Sequence, residues 1–158
     1  MDLGFNIKYL FMKVYIFLLL SCIFLSCTKK KPQHIKSVNQ KVYYTKDSIP
    51  LKLLSVLSNH FKSEFSIANP DEKYNATDML IDSLPSKQLL FISNEDKNWQ
   101  MVYQQGGFGK YFVYVECKKV GDSILDVKKG ETIQNIGNIK NLNKLLVAKE
   151  IRLVSINN

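Results

Sequence analysis

The chain has little of what catalytic and metal sites are usually made from. Its 158 residues include three cysteines and two histidines. His34 and His60 stand far apart in sequence, so no zinc ligand set suggests itself. There is no Gly-x-Ser-x-Gly elbow, and within the folded part a histidine-dependent triad has only His60 to draw on. Acids do cluster, at Asp71, Glu72, Asp78 and Asp82, but the glycine that bends a calcium loop is missing among them. Paired carboxylates depend on separation in space, which a sequence does not give. No metal, cofactor or catalytic residue is therefore assigned. A long apolar run is lacking too. The uncharged stretch from Val14 to Thr28 counts 15 residues, whereas a helix needs about 20 to cross the hydrocarbon of a bilayer.

What is abundant is positive charge, and its position matters more than its total. The formal net charge is +8 and the pI about 9.3, values that suggest nucleic acid. Residues 1–26 contribute +1, residues 27–46 contribute +6 with no acid among them, and residues 47–158 carry 14 basic and 13 acidic side chains. The folded part is nearly neutral, so nucleic acid is not the expected partner. At 46% hydrophobic and 23% charged the composition is that of an ordinary globular domain.

The N-terminus has the layout of an export signal. Lys8 and Lys13 precede the apolar run Val14–Leu20, and Ser21–Leu25 continue it, giving the positive and apolar regions of a secretory signal. Met12-Lys13 directly before that run makes a compact second start. Phe24-Leu25-Ser26-Cys27 resembles the lipobox of bacterial lipoproteins. Leu19-Leu20-Ser21-Cys22 is a rival box, but Cys22 is followed by apolar residues and Cys27 by Thr28-Lys29-Lys30-Lys31-Pro32-Gln33, a solvated tether. The resemblance implies cleavage after residue 26 and diacylglycerol on Cys27. Two or three acyl chains anchor stably where one is marginal. It also implies outer-membrane sorting, facing the periplasm in a Gram-negative cell, because Thr28 stands where an inner-membrane protein carries Asp. On this layout residues 1–26 are the signal peptide, 27–46 a lysine-rich membrane tether and 47–158 one domain. With Cys22 removed and Cys27 acylated, Cys117 is the remaining thiol. It follows Tyr111, Val113 and Val115 at period two and is expected to be buried with them.

The pattern in the domain predicts an α+β fold. Asp47 and Ser48 offer capping oxygens, Pro50 suits a first helical turn, and Leu53, Leu54, Leu57, Phe61 and Phe65 lay one apolar stripe along a helix Pro50–Phe65. His60 sits half-exposed beside the stripe. Asn69-Pro70, Asn75-Ala76-Thr77 and Leu84-Pro85-Ser86 mark an irregular stretch. Gln88–Ser93, Trp99–Gln104, Tyr111–Val120 and Ser123–Val127 then read as an antiparallel meander of four strands, or five if Lys41–Thr45 adds an edge. In the second, Trp99, Met101 and Tyr103 face the core while Gln100, Val102 and Gln104 face water. Ile139, Leu142, Leu145 and Leu146 suggest a short helix, and Ile151–Ile156 a last strand. The meander is expected to pack against one main helix.

Gly106-Gly107-Phe108-Gly109 is the one glycine-rich loop. Loops that cradle phosphate lead into a helix, and this one leads into a strand, so its glycines serve a hairpin. Tyr103, Phe108, Tyr111 and Tyr114 cluster around it, and aromatics beside a loop suit a peptide, a glycan or an envelope protein. Tyr103, Phe108 and Tyr111 are the candidate ligand contacts. The expected function is a membrane-anchored lipoprotein with a non-enzymatic binding or envelope-associated module. An inhibitor or immunity protein against a toxin is one specific form. A small hydrolase using the carboxylates of Asp71–Asp82 is the rival class.

Overall fold

Apolar residues recur at period two most clearly between Lys87 and Thr132, and there the chain is extended. The computed structural model describes residues 40–79, 81 and 83–156. The signal segment, Cys27 and most of the tether lie outside the described residues. The elements are β1 (Lys41–Tyr43), a 3-10 turn (Lys46–Ser48), α1 (Leu51–Phe61), β2 (Lys87–Glu95), β3 (Asn98–Gln105), β4 (Tyr111–Val120), β5 (Ser123–Thr132), α2 (Ile139–Val147) and β6 (Val154–Ser155). All six strands make one antiparallel sheet in chain order. The fold is thus α+β, with a sheet of six strands rather than four to five. The extra strands are its edges. They fall within the stretches Lys41–Thr45 and Ile151–Ile156 that the sequence offers as strands, and at three and two residues are shorter than those stretches.

α1 is shorter than the expected Pro50–Phe65. Pro50 is its N-cap without any side-chain capping bond, because Asp47 and Ser48 are taken up by the 3-10 turn, where Asp47 N–H donates to Thr45 Oγ1 at 3.4 Å. At the other end Lys62 takes a left-handed φ of 54° and Ser58 Oγ accepts from Phe65 N–H at 3.0 Å. That turn folds Phe65 back beneath the helix. It stays in the core, stacked on Phe61 at 5.8 Å and edge-on to Tyr103 at 5.5 Å between centroids. Leu53 and Leu57 are fully buried against Leu89, Ile92, Met101, Val113, Val115 and Val127, each contributing roughly 1.5–3 kcal/mol.

The opposite face of the sheet is not the water face that the alternation in β3 predicts. Val102 is buried, as are Phe91, Phe112 and Tyr114, and with Ile136, Leu142, Leu145 and Ile151 they form a second core. α2 supplies its lid. Asn138 caps that helix by accepting from Asn141 N–H at 3.0 Å, and its apolar stripe turns onto the sheet. Gln104 is buried too, donating to Gln88 Oε1, while Gln88 Nε2 donates to the carbonyls of Pro70 and Glu72. The sheet is therefore covered on both faces by helices of unlike length. Among the described residues, no helix is long and apolar enough to cross a membrane.

Both edges of the sheet are blunted. Beyond β1, β2 is covered by the segment before it: Ala68 bridges Gln88 in parallel, with Ala68 N–H on Lys87 O and Leu89 N–H on Ala68 O, each 2.9 Å. On the far side, β6 pairs with Lys128 and Lys129. A bulge offsets β5 from β4 between Glu116 and Lys118, with Asp126 at φ 52°. A twisted, bulged edge is a poor template for another strand.

Candidate functional site

The sheet has two ends. The β2–β3 turn and the entry of the chain at Gln40 mark one, since Lys41 lies opposite Asn94. The glycine-rich β3–β4 connection marks the other. Gly107 and Gly109 have φ of 131° and 100°, conformations open to glycine and costly for other residues. Gly106 serves differently, since a Cβ there would come within 2.1 Å of Asn75 O and 2.7 Å of the Ala76 Cα. Its N–H donates to Ser86 O at 2.9 Å. Asn75, Ala76 and Ser86 are thereby docked against the base of the hairpin. Asn75 itself is buried, with its Oδ1 accepting from Thr77 N–H and Oγ1 and its Nδ2 donating to Met79 O.

This arrangement separates the candidate aromatics. Phe108 is 98% exposed at the hairpin tip. Tyr111 is half-buried and, with Phe108, Gly109, Lys110, Glu131, Thr132 and Ile133, lines a shallow cleft of about 350 Å³. Burial and the neighbouring Glu131 carboxylate raise its phenol above the ordinary tyrosine value. Tyr103 is not a surface residue. It is fully buried beneath Phe65, and its hydroxyl finds no hydrogen-bond partner among the described residues. Burial, then Tyr111 and Glu131, push its pKa far up. Tyr114 is buried in the second core. Ile133, 85% exposed, and Glu131 belong to the cleft, yet composition around the glycine loop does not point to them. The pairing Phe112↔Thr132 brings them there, so the register of β4 on β5 was the missing signal.

A second cleft adjoins the first through Glu131. It measures about 320 Å³ and is lined by His60, Lys129, Gly130, Glu131, Arg152, Val154 and Ile156. His60 is exposed rather than half-exposed, in the last turn of α1, and edge-on to Phe61 at 5.0 Å. Lys129 Nζ lies 2.7 Å from Glu131 Oε1. Lys87 and Lys129 both stand 5.2 Å from the centroid of the Phe61 ring, an attraction that holds two like charges on one aromatic. Burial, and then the charge of Lys129, lower the Lys87 pKa.

At the other end of the sheet the residues between α2 and the β2–β3 turn are polar. Gln100, Glu116 and Lys128 are directly paired across β3, β4 and β5, so their side chains share one face. A hydrogen-bonded row crosses them: Gln40 Nε2 donates to Gln100 Oε1 at 3.1 Å, Gln100 Nε2 to Tyr114 Oη at 3.1 Å, Tyr114 O–H to Glu116 at 2.9 Å and Lys128 Nζ to Glu116 at 3.2 Å. Of this row Gln100, Glu116 and Lys128 line a cleft of about 360 Å³ together with Glu95, Asn98, Lys118 and Asp126. Since the row already uses the polar atoms at its centre, its evident work is structural: it satisfies the buried Tyr114 hydroxyl.

The clustered acids gather no chemistry. Asp71, Glu72 and Asp78 are exposed and line none of these three clefts; Asp82 lies outside the described residues. Glu72 is engaged, accepting from Asn69 N–H at 2.8 Å, Asn69 Nδ2 at 2.9 Å and Lys46 Nζ at 3.2 Å. The Asn69 bonds, then Lys46, hold its pKa below the usual value. Cys117 is buried as expected, and burial, with Glu116 beside it, pushes the thiol up to about 12, far from the activated range of a nucleophile. Among the described residues no three His, Cys, Asp or Glu side chains are placed to hold a metal. No protein family, curated protein or solved structure matches this chain.

Proposed function

We propose that this chain is an exported lipoprotein, acylated at Cys27 and held on the periplasmic face of the outer membrane, whose folded domain is a non-enzymatic binding module. The observation that carries the binding half is the hairpin end. Phe108 and Ile133, at 98% and 85% exposure, stand in one cleft with the half-buried Tyr111. Large apolar side chains that a domain leaves together in water mark contact surfaces. The anchor rests on the sequence, with the lipobox-like Phe24–Cys27 ahead of a tether that holds most of the net charge. The carboxylates of Asp71–Asp82 lend no weight to a hydrolase, for the described ones are exposed, and Glu72 is tied to Asn69 and Lys46.

Mass spectrometry of the chain recovered from membranes tests the anchor. The expected N-terminus is an acylated Cys27, and Cys27→Ser is expected to leave the signal uncleaved and unacylated; an unmodified wild-type N-terminus would overturn the proposal. Photo-crosslinking in cells tests the surface. A photoreactive side chain at Phe108 is expected to form adducts that the same group at Asp96, on the opposite turn, does not. Equal adducts at both positions would remove the hairpin end as the contact surface.

A further inference from the structure

One triplet recurs along the chain. Asp47-Ser48-Ile49, Asp82-Ser83-Leu84 and Asp122-Ser123-Ile124 each set an aspartate before a serine and a large aliphatic residue after it. With eight aspartates and 13 serines in 158 residues, composition alone supplies roughly 0.1 such triplets. Ser48 is half-buried, and Ser83 and Ser123 are exposed. Ile49 is buried in the core under α1 and Ile124 packs against that core, so the third residue holds its serine at the surface. The local fold does not need the polar pair. At the β4–β5 turn, Gly121 at φ 59° and the pairing Val120↔Ser123 close the hairpin. The side chains of Asp122 and Ser123 make no hydrogen bond or ion pair among the described residues.

The triplets also sit where the fold leaves apolar side chains in water. Among the described residues ten large hydrophobics are exposed, and six of them lie within four positions of a triplet serine: Tyr44 and Leu51 by Ser48, Met79 and Ile81 by Ser83, Val120 and Leu125 by Ser123. Phe108 and Ile133 lie outside all three groups. At Ser123 the register sets the geometry. Val120 is its cross-strand partner and Leu125 stands two residues further along β5, so the three side chains share one face. Val120 and Leu125, exposed by 41% and 45%, flank the serine hydroxyl, and a group joined to that oxygen lies across them.

Resting on the lipoprotein reading above, which carries the chain into the envelope, we propose that Ser123 is an acceptor for an O-linked sugar and that the Asp-Ser-Ile/Leu triplet is what an envelope glycosyltransferase recognises. A sugar suits the setting. Its carbon–hydrogen face removes Val120 and Leu125 from water while its hydroxyls stay solvated, which makes it a bulky, solubilising surface group. A phosphate would set charge between two apolar side chains instead. The donor class is a lipid-linked sugar diphosphate. Ser123 Oγ attacks the anomeric carbon, the new O–C bond forms as the bond from that carbon to the phosphate oxygen breaks, the diphosphate leaves with the electron pair, and the hydroxyl proton passes to a base on the transferase. The exposed Asp122 carboxylate offers that enzyme a charged handle beside the acceptor oxygen.

The test is peptide mass spectrometry of the full chain isolated from membranes of the cells that naturally produce it, with fragmentation that locates the modified oxygen. The expected result is a sugar mass on Ser123. Ser66 and Ser155 are internal controls: both are exposed and followed by Ile, but Phe65 and Val154 stand where the triplet has Asp, so both should be bare. Ser123→Ala and Asp122→Asn should each abolish the sugar on that peptide, and Ser123→Thr should keep it. Equal melting curves of these variants, made without the signal in a host lacking the transferase, show that loss of the sugar is not loss of the fold. A bare Ser123 on a chain acylated at Cys27 overturns the sugar and leaves the anchor standing. A sugar on a chain whose Cys27 is unacylated overturns the anchor and leaves the acceptor site standing. A sugar that persists in Asp122→Asn, or that also marks Ser66 and Ser155, overturns recognition of the triplet, and a phosphate in its place overturns the chemistry.

Discussion

Tyr103 and Cys117 show how one face of a strand sets the chemistry of single residues. Tyr103 alternates with Val102 and Gln104 on β3, and its hydroxyl is carried into the core with no partner among the described residues. An unsatisfied buried hydroxyl costs about 1–3 kcal/mol, so Tyr103→Phe is expected to raise stability by about 1 kcal/mol in urea denaturation. A loss of that size would show that the hydroxyl is hydrogen-bonded in solution. Cys117 is protected in the same way. Its thiol should resist iodoacetamide in the native protein and react fully in denaturant. The folded thiol keeps its proton up to about 12, where the unfolded one releases it near 9.0. The stability this group supplies is present below pH 9.0 and is lost as pH rises toward about 12. Urea midpoints measured across that range should fall with pH, and less steeply in Cys117→Ala. Periodicity in the sequence foretold the burial of Cys117. It equally placed Tyr103 on the core side of β3, although the cluster of aromatics around the glycines made it a contact candidate as well.

The elements divide between those with a long pattern and those without. The helical stripe of Leu53, Leu57 and Phe61 and the alternation in β2 to β5 extend over enough residues to be read directly, whereas the strands read at Lys41–Thr45 and Ile151–Ile156 are cut to the few residues that pair with a neighbour, Lys41–Tyr43 and Val154–Ser155. α2 is the instructive case. Its stripe is legible, but what it covers is not: the second core under Leu142 and Leu145 turns Val102 and Gln104 from solvent residues into buried ones. Leu142→Ala should then cost about 2–5 kcal/mol, comparable to Leu57→Ala on the α1 side. If α2 were a peripheral helix on an open face, the loss would be well under 1 kcal/mol. The glycine hairpin gives a second element-scale expectation. Gly106→Ala drives a Cβ into the backbone of Asn75 and Ala76, contacts that cannot swing aside. It should cost about 2 kcal/mol or more and loosen the 75–86 segment to limited proteolysis.

At the scale of the whole molecule, most of the net charge sits in residues 27–46 and residues 47–158 are nearly neutral, with the exposed Phe108 and Ile133 collected at one end of the sheet. By itself the sequence determined the α+β class, the order of the long strands, the stripe of α1 and the burial of Cys117. Each follows from a local period, 3.6 or 2, that decides which side chains leave water together. Only the tertiary structure decided that the sheet is covered on both faces, that Tyr103 leaves the aromatic group at the hairpin while Phe108 and Tyr111 stay, and that Ile133 and Glu131 join them. These depend on register and on close backbone approaches such as Gly106 on Asn75. A register pairs residues 20 apart, as Phe112 with Thr132, and no local period records which partner a strand will meet.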